Sequence, residues 1–162
     1  MLLERVVTIY AQAFAESPGR AYLEKRGLAD LGLLEKHRVG YADGRLARLL
    51  PREGTVRDEL RALGVLLDEQ GRERFAGCVV VPVCDDRGRI VTLYGRAIAT
   101  EPGADGKRHV YLPNRPRGLW NAASRKAAPH LFFVESVLEG LSVAVAGAGN
   151  VVAIQGSNGF TA

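Results

Sequence analysis

The sequence is poor in cysteine, with only Cys78 and Cys84 among its 162 residues. The two lie six residues apart near one predicted strand, a spacing that fits neither a zinc-binding pair nor a redox CxxC motif. Because a structural zinc site needs four ligands, usually paired cysteines or histidines, the sequence predicts no zinc site. We expect both cysteines to be reduced thiols.

Long apolar runs are also missing. No stretch approaches the roughly 18 uninterrupted apolar residues that a membrane-spanning helix needs. The first ten residues, MLLERVVTIY, carry charges at Glu4 and Arg5 and lack the apolar region of a secretory signal peptide. We therefore expect a soluble, cytoplasmic protein with no membrane partner. Its 47% of apolar residues can build the core of one ordinary domain or of two small lobes.

Positive charge is concentrated in one part of the sequence. The segment from Asp105 to Lys126 contains that one acid and six basic residues, an excess larger than the +4 of the whole chain. Such a run can be an ordinary solvated surface, or it can bind a polyanion. The aromatic residues Tyr111 and Trp120 lie among these cations, a combination suited to phosphates and bases. On this second interpretation the nucleic-acid ligands include Lys107, Arg108, Tyr111, Arg115, Arg117 and Trp120.

The first third of the sequence predicts helices. Apolar residues recur at helical spacing in LLERVVTIYAQAF, and SPGRAYLEKRG begins a second helix with Ser17 as its cap and Pro18 at its first position. Gly27 is suited to ending that helix. LADLGLLEKH and TVRDELRALG predict two further helices.

The later sequence predicts strands, so the fold class is α/β. CVVVPVCD, the turn DDRGR and IVTLYGRAI predict an antiparallel hairpin, and RHVYLP predicts a third strand. PHLFFVE, SVLEGLSVAVAGAG and NVVAIQG then predict a buried strand, a helix and a second buried strand, which together form a βαβ unit with parallel strands. We predict a lobe over 1–128, helical over 1–65 and antiparallel over 66–128, and a second unit over 129–162.

Two carboxylates mark the beginning of that βαβ unit. Glu135 lies at the carboxyl end of the first strand, where open α/β sheets gather their ligands, and Glu139 follows four residues later in the next helix. Two hard oxygen ligands there suit Mg²⁺ or Mn²⁺. Alternatively, Glu139 complements the helix dipole and Glu135 caps the helix. The spacing alone does not separate the two interpretations.

These residues resemble the catalytic core of DnaG-type bacterial DNA primases, in which an N-terminal segment precedes a TOPRIM domain. The strand ending in Glu135, the acid four residues later and the strand NVVAIQG resemble the opening of a TOPRIM domain. Four upstream blocks follow in the family's order from Ala21 onward: AYLEKRGL, HRVGYAD, GRERFAGCVVVPVCDDRGRIVTLYGRAI and KRHVYLPNRPRGLWN. The resemblance is closest to the branch of primase-like proteins found in phages and mobile elements.

The resemblance implies roles for individual residues. Glu135 matches the glutamate implicated in metal-assisted nucleotidyl transfer, and Glu139 the acid that assists at the metal. Arg96 matches the arginine of a Gly-Gly-Arg strand end, and Lys107, Arg108 and Tyr111 fall near a Lys-Tyr pair close to the template and the incoming nucleotide. Single-stranded DNA, nucleoside triphosphates and a replicative helicase are the implied partners.

The resemblance also implies an Asp-x-Asp motif after a later strand, and no acid follows Glu139. We therefore expect a core fragment truncated before that motif, with an incomplete metal site and an open sheet edge through which copies could associate. Three functions stay open at this point: a primase core that synthesises RNA primers, a non-catalytic module that binds single-stranded DNA, and a degenerate remnant.

Overall fold

The computed structural model describes residues 2–98, 108–114, 118–126 and 129–154. Its α-helices are α1 Leu2–Gln12, α2 Pro18–Glu24, α3 Leu31–Lys36, α4 Leu46–Leu49, α5 Thr55–Ala62 and α6 Val137–Val145. Its strands are β1 Gly40–Tyr41, β2 Cys78–Cys84, β3 Ile90–Ala97, β4 His109–Tyr111, β5 Phe132–Val134 and β6 Val151–Ala153. A single 3₁₀ helix spans Ala122–Lys126. In the described part of the chain, every helix is too short or too polar to cross a membrane.

The predicted signals at the ends of α2 are confirmed. The Ser17 side chain accepts a hydrogen bond from the backbone N–H of Arg20, and Pro18 occupies the first helical position. Such a cap satisfies one of the N–H groups that have no partner inside the helix. Gly27, just beyond the helix, has a φ of +77°, a left-handed conformation that glycine adopts without steric cost. Arg26 therefore lies in the turn that ends α2.

Strands β1 to β4 form an antiparallel sheet in the order β1-β2-β3-β4. The predicted hairpin is confirmed as β2 and β3, and the predicted third strand is β4. Strand β1 lies inside the segment that we predicted to be helical, and the sequence signal for a two-residue strand is weak. Cys78 and Cys84 are free thiols in this sheet, and burial raises the pKa of Cys78 to about 12.

The predicted βαβ unit is also confirmed, because β5 and β6 are parallel and α6 connects them. Strand β5 differs from the prediction in its burial. Phe132 and Phe133 are 53% and 54% exposed, whereas we predicted a buried strand. Among the described residues, β6 is the one strand that pairs with β5, so more than half of each phenylalanine ring remains accessible. All three residues of β6 are buried as predicted.

Trp120 joins the sheet to the βαβ unit, and this corrects its predicted role. Its ring is 1% exposed and belongs to a buried cluster that also contains Tyr94 of β3, Leu141 of α6 and Val151 of β6. Its backbone pairs with Ala153 of β6. A ring buried in this way cannot stack on a base, so Trp120 is a core residue and not a nucleic-acid ligand.

Candidate functional site

A cleft of about 610 Å³ lies between the end of the antiparallel sheet and the beginning of α6. Four of its lining residues are predicted site residues: Arg96, Tyr111, Glu135 and Glu139. The structure adds two residues that sequence reasoning missed, Arg26 and His109. The cleft therefore places two arginines and a histidine in one cavity with two carboxylates.

Arg96 is held by two neighbours near the carboxyl end of β3. Its Nε donates a hydrogen bond of 3.1 Å to the hydroxyl of Tyr22 in α2. Its Nη1 lies 2.7 Å from Nε2 of His109 in β4. Arg96 and His109 face each other directly in the antiparallel register of β3 and β4. The guanidinium, a fixed fork of five N–H donors, is thus oriented from a helix and from a strand.

Burial and then the Arg96 guanidinium lower the pKa of His109. The carboxylates of Glu135 and Glu139 act on that pKa in the opposite direction. All four side chains therefore interact electrostatically within the same cleft. His109 also lies beside Tyr94, whose hydroxyl is 3.1 Å from Nδ1 of the imidazole.

Arg26 brings a second guanidinium to the cleft from the end of α2. Its guanidinium carbon lies 4.9 Å from the centre of the Tyr22 ring, a cation–π geometry. Tyr22 thus contacts both arginines, one through its ring and the other through its hydroxyl. Arg26 belongs to the block AYLEKRGL on which the resemblance rests, so its position was the signal that could have identified it.

Glu139 is engaged by the backbone at the beginning of α6. Its Oε2 accepts hydrogen bonds of 3.0 Å from the backbone N–H groups of Glu135 and Ser136. The Ser136 side chain in turn accepts from the N–H of Glu139, which completes a capping box. The helix cap is Ser136 and not Glu135, so the Glu135 side chain is left exposed at the strand end. The alternative is therefore wrong about Glu135, whereas Glu139 does lie in the first turn of α6, where an acid complements the helix dipole.

Glu135 and Glu139 are the two carboxylates that we predicted as metal ligands, and both line the cleft. Within the described ranges, no group of three or more His, Cys, Asp or Glu side chains is placed to hold a metal ion. The carboxylate of Glu135 and the second oxygen of Glu139 fit a hard cation that keeps most of its ligands as water.

The described residues of the predicted basic run lie in two different places. Arg108 is exposed beside β4, whereas Arg125 is paired at 2.6 Å with Asp86 in the turn between β2 and β3. Asp86 and Arg125 line a different cavity from Arg96. Lys107, Arg115 and Arg117 lie outside the described residues. Among the residues that the structure describes, Arg26 and Arg96 supply the positive charge of the cleft.

Comparison with known proteins agrees with this arrangement. The model of the family described as "DNA primase catalytic core, N-terminal domain" matches residues 9–116. The chain belongs to this family. A DNA primase of Escherichia coli (strain K12) is 28% identical to this primase-family chain over 175 residues, which cover 97% of the chain and 29% of the relative. The chain thus spans less than a third of that relative's length.

Solved primase structures share the fold. The structure of a DnaG catalytic core matches 96% of this chain with a TM-score of 0.79 and 24% identity. The structure of a DnaG primase catalytic domain bound to ssDNA matches 94% with a TM-score of 0.73 and 28% identity. The chain covers 53% of each of those structures. The predicted α/β class and the predicted primase family are therefore confirmed.

Proposed function

We propose that this chain forms the phosphate-binding part of a primase catalytic core, which synthesises RNA primers on single-stranded DNA from nucleoside triphosphates. The observation that carries the proposal is the cleft, in which Arg26 and Arg96 meet Glu135 and Glu139 in a chain of the primase family. Guanidinium groups bind phosphate oxygens through paired N–H donors, so the two arginines suit a polynucleotide backbone or a triphosphate. The related catalytic domain solved with ssDNA supports a DNA ligand.

The carboxylates of the cleft would supply the metal-binding part of this function. Glu135 would hold Mg²⁺ or Mn²⁺ and could accept the proton of an attacking hydroxyl, while Glu139 would contribute its remaining oxygen and fix the turn through its backbone contacts. The bound cation would neutralise charge on the transferring phosphoryl group. Arg26 and Arg96 would orient the phosphates that carry this charge.

Several finer assignments belong to the same proposal. The unit from β5 to β6 is the opening of a TOPRIM domain, and the chain is related to the primases of phages and mobile elements. A replicative helicase is a proposed partner. The accessible side chains of β5 suit association between copies or with another chain. Each of these follows from the resemblance and the exposed strand.

Replacing Arg96 with glutamine should weaken the binding of a fluorescein-labelled oligo(dT) by about three- to tenfold, because one charged phosphate contact is lost. The slope of log affinity against log salt should fall by about 0.7, the share of one phosphate on a single strand. Fluorescence anisotropy at several salt concentrations measures both.

Arg72→Gln is the matched control for this variant. Arg72 is 72% exposed, is paired with Asp68 and does not line the cleft, so this change removes the same charge from elsewhere. We expect it to leave the affinity and the salt slope nearly unchanged. Equal losses in the two variants would show that net charge drives binding, and the cleft would lose its assignment.

Titration with Mn²⁺ should show binding in the millimolar range at best, since two carboxylates leave most of the coordination sphere to water. Glu135→Gln should abolish it. Glu139→Gln should weaken it while preserving α6, because a glutamine can accept the same backbone hydrogen bonds. Paramagnetic broadening of the cleft resonances measures the binding. Tight binding that survives Glu135→Gln would place the metal elsewhere, and DNA binding without any metal would favour the non-catalytic module.

A further inference from the structure

The orientation of Arg96 depends on a residue to which the primase resemblance assigns no role. Arg96 projects from β3 and has a long, flexible side chain, whose conformational entropy opposes any single geometry. The structure holds it at two points, the hydroxyl of Tyr22 at Nε and the imidazole of His109 at Nη1. The contact with His109 is the shorter, at 2.7 Å.

This contact fixes the state of the imidazole. A guanidinium can only donate hydrogen bonds, so Nε2 of His109 must be the acceptor and must carry no proton. The remaining ring proton is then on Nδ1, where it is donated to the hydroxyl oxygen of Tyr94 at 3.1 Å. Tyr94 is fully buried, so the imidazole of His109 is anchored to the core through Nδ1 while its Nε2 contacts Arg96.

We infer that His109 is a positioning residue for Arg96, which its unprotonated Nε2 holds in the orientation that receives a phosphate in the cleft. The inference rests on the proposed function of Arg96 as a phosphate ligand. It differs from a role in which His109 itself binds the phosphate as a cation. The two roles predict opposite effects of protonation.

Several charged and titratable groups face His109. Arg96 and Tyr94 face it from β3, and Arg26 lines the same cleft from the end of α2. Glu135 lies in the turn after β5 and Glu139 in the first turn of α6, and the charges of both carboxylates favour the protonated ring. Tyr111, its neighbour in β4, is half-buried in the same wall.

Protonation would remove the acceptor that holds Arg96. The proton added at Nε2 would point at a group that can only donate, and two positive charges would then face each other across a hydrogen-bond distance. Burial and Arg96 lower the pKa of His109, so the neutral ring is favoured at neutral pH. The Arg96 geometry is therefore expected to be intact near pH 8 and to be lost as the pH falls through the lowered pKa of the ring.

Two substitutions of His109 distinguish the positioning role from direct phosphate binding by a protonated ring. His109→Gln keeps an acceptor near the position of Nε2 through its amide oxygen but cannot be protonated in this range. His109→Leu removes the acceptor. Binding of fluorescein-labelled oligo(dT) by the complete chain is measured at about pH 8 and at about pH 5 for the unmodified chain and both variants. Thermal unfolding by circular dichroism establishes that each variant is folded.

At the higher pH, we expect His109→Gln to bind as well as the unmodified chain and His109→Leu to bind about three- to tenfold more weakly. At the lower pH, His109→Gln should bind about threefold more tightly than the unmodified chain, which has lost the Arg96 geometry. Tighter binding by the unmodified chain at the lower pH would overturn the inference and make His109 a cationic ligand. Equal binding by all three proteins at both pH values would overturn it as well.

A double-mutant cycle with Arg96→Gln distinguishes failure of the inference from failure of the proposed function. If His109 acts through Arg96, adding His109→Leu to Arg96→Gln should cause no further loss. Additive losses would contradict a positioning role while leaving the cleft assignment intact. If Arg96→Gln by itself has no effect on binding, the proposed function fails first. If His109→Leu does not fold, the comparison of His109→Gln with the unmodified chain at the two pH values still distinguishes a positioning role from a cationic ligand.

Discussion

Replacement of Trp120 with alanine is expected to lower the free energy of unfolding by about 3–5 kcal/mol, the usual cost of deleting a large buried aromatic ring. The ring is 1% exposed and fills the space between the antiparallel sheet and α6. The fit is tight on the helix side, because a Cβ added at Gly140 would lie 2.6 Å from the Trp120 ring. The surrounding residues can therefore move little into the cavity that the missing ring leaves. The loss of unfolding free energy should accordingly lie near the upper end of that range. Denaturant unfolding followed by far-UV circular dichroism measures it.

Phe132→Ala is the matched control for Trp120→Ala. Phe132 is also aromatic and lies in the same βαβ unit, but it is 53% exposed and its truncation leaves no cavity. We expect its effect to stay within about 0.5 kcal/mol. A small loss for Trp120→Ala would contradict the buried position of this ring and would restore its predicted role at a nucleic-acid surface.

The case of Trp120 shows where sequence reasoning fails in this protein. In the sequence, the tryptophan lies among arginines, and that order alone is compatible with an exposed binding surface. In the structure, its backbone pairs with Ala153, 33 positions later in the chain, and this pairing directs the ring into the core. A long-range bridge of this kind has no local sequence signal. Hydrophobic patterning could only show that such a ring is buried either in the core of the protein or against a bound ligand.

The local features of the fold were predictable because each has a local cause. Caps, turns and alternating apolar residues predicted α2, the β2–β3 hairpin and the βαβ unit. Strand β1 was missed, because two residues cannot show a period. It forms where Gly40 allows close packing on α1, as a Cβ at that position would lie 2.6 Å from the backbone of Tyr10.

The candidate site was predictable in part for the same reason. Glu135 and Arg96 each lie at a strand end, a position that the sequence reveals. The role of His109 depends instead on the register of β3 and β4, which places it directly opposite Arg96. That register could have been tested from the sequence by aligning the two predicted strands outward from the segment that connects them. Arg26 reaches the cleft through the packing of α2, which no local pattern specifies, so its place in the block AYLEKRGL was the one sequence signal for it.

The half-buried histidine next to Trp120 predicts a second large effect, which depends on pH. His37 lies with its ring centre 4.5 Å from that of Trp120. Burial lowers the pKa of His37 to about 4, and Lys36 acts in the same direction. In the unfolded chain the pKa is near 6.5, so between these values the unfolded chain binds the proton more readily. The stability that the neutral ring contributes is therefore present above about pH 6.5 and is lost as the pH falls towards 4.

We expect this loss to be about 1–2 kcal/mol, reduced from the full linkage value because the ring is only partly buried and solvent screens its charge. His37→Gln should remove this part of the pH dependence of the unfolding free energy, since glutamine does not titrate. His130→Gln is the control: it changes an exposed histidine and should leave that pH dependence unchanged. His109→Gln should remove a smaller share in the same direction, as the pKa of His109 is also lowered. Urea unfolding of the four proteins at intervals between about pH 7 and pH 4 measures the contributions. An unchanged pH dependence in His37→Gln would show that His37 titrates normally in the folded chain, and the packing of its ring on Trp120 would then have to be open to water.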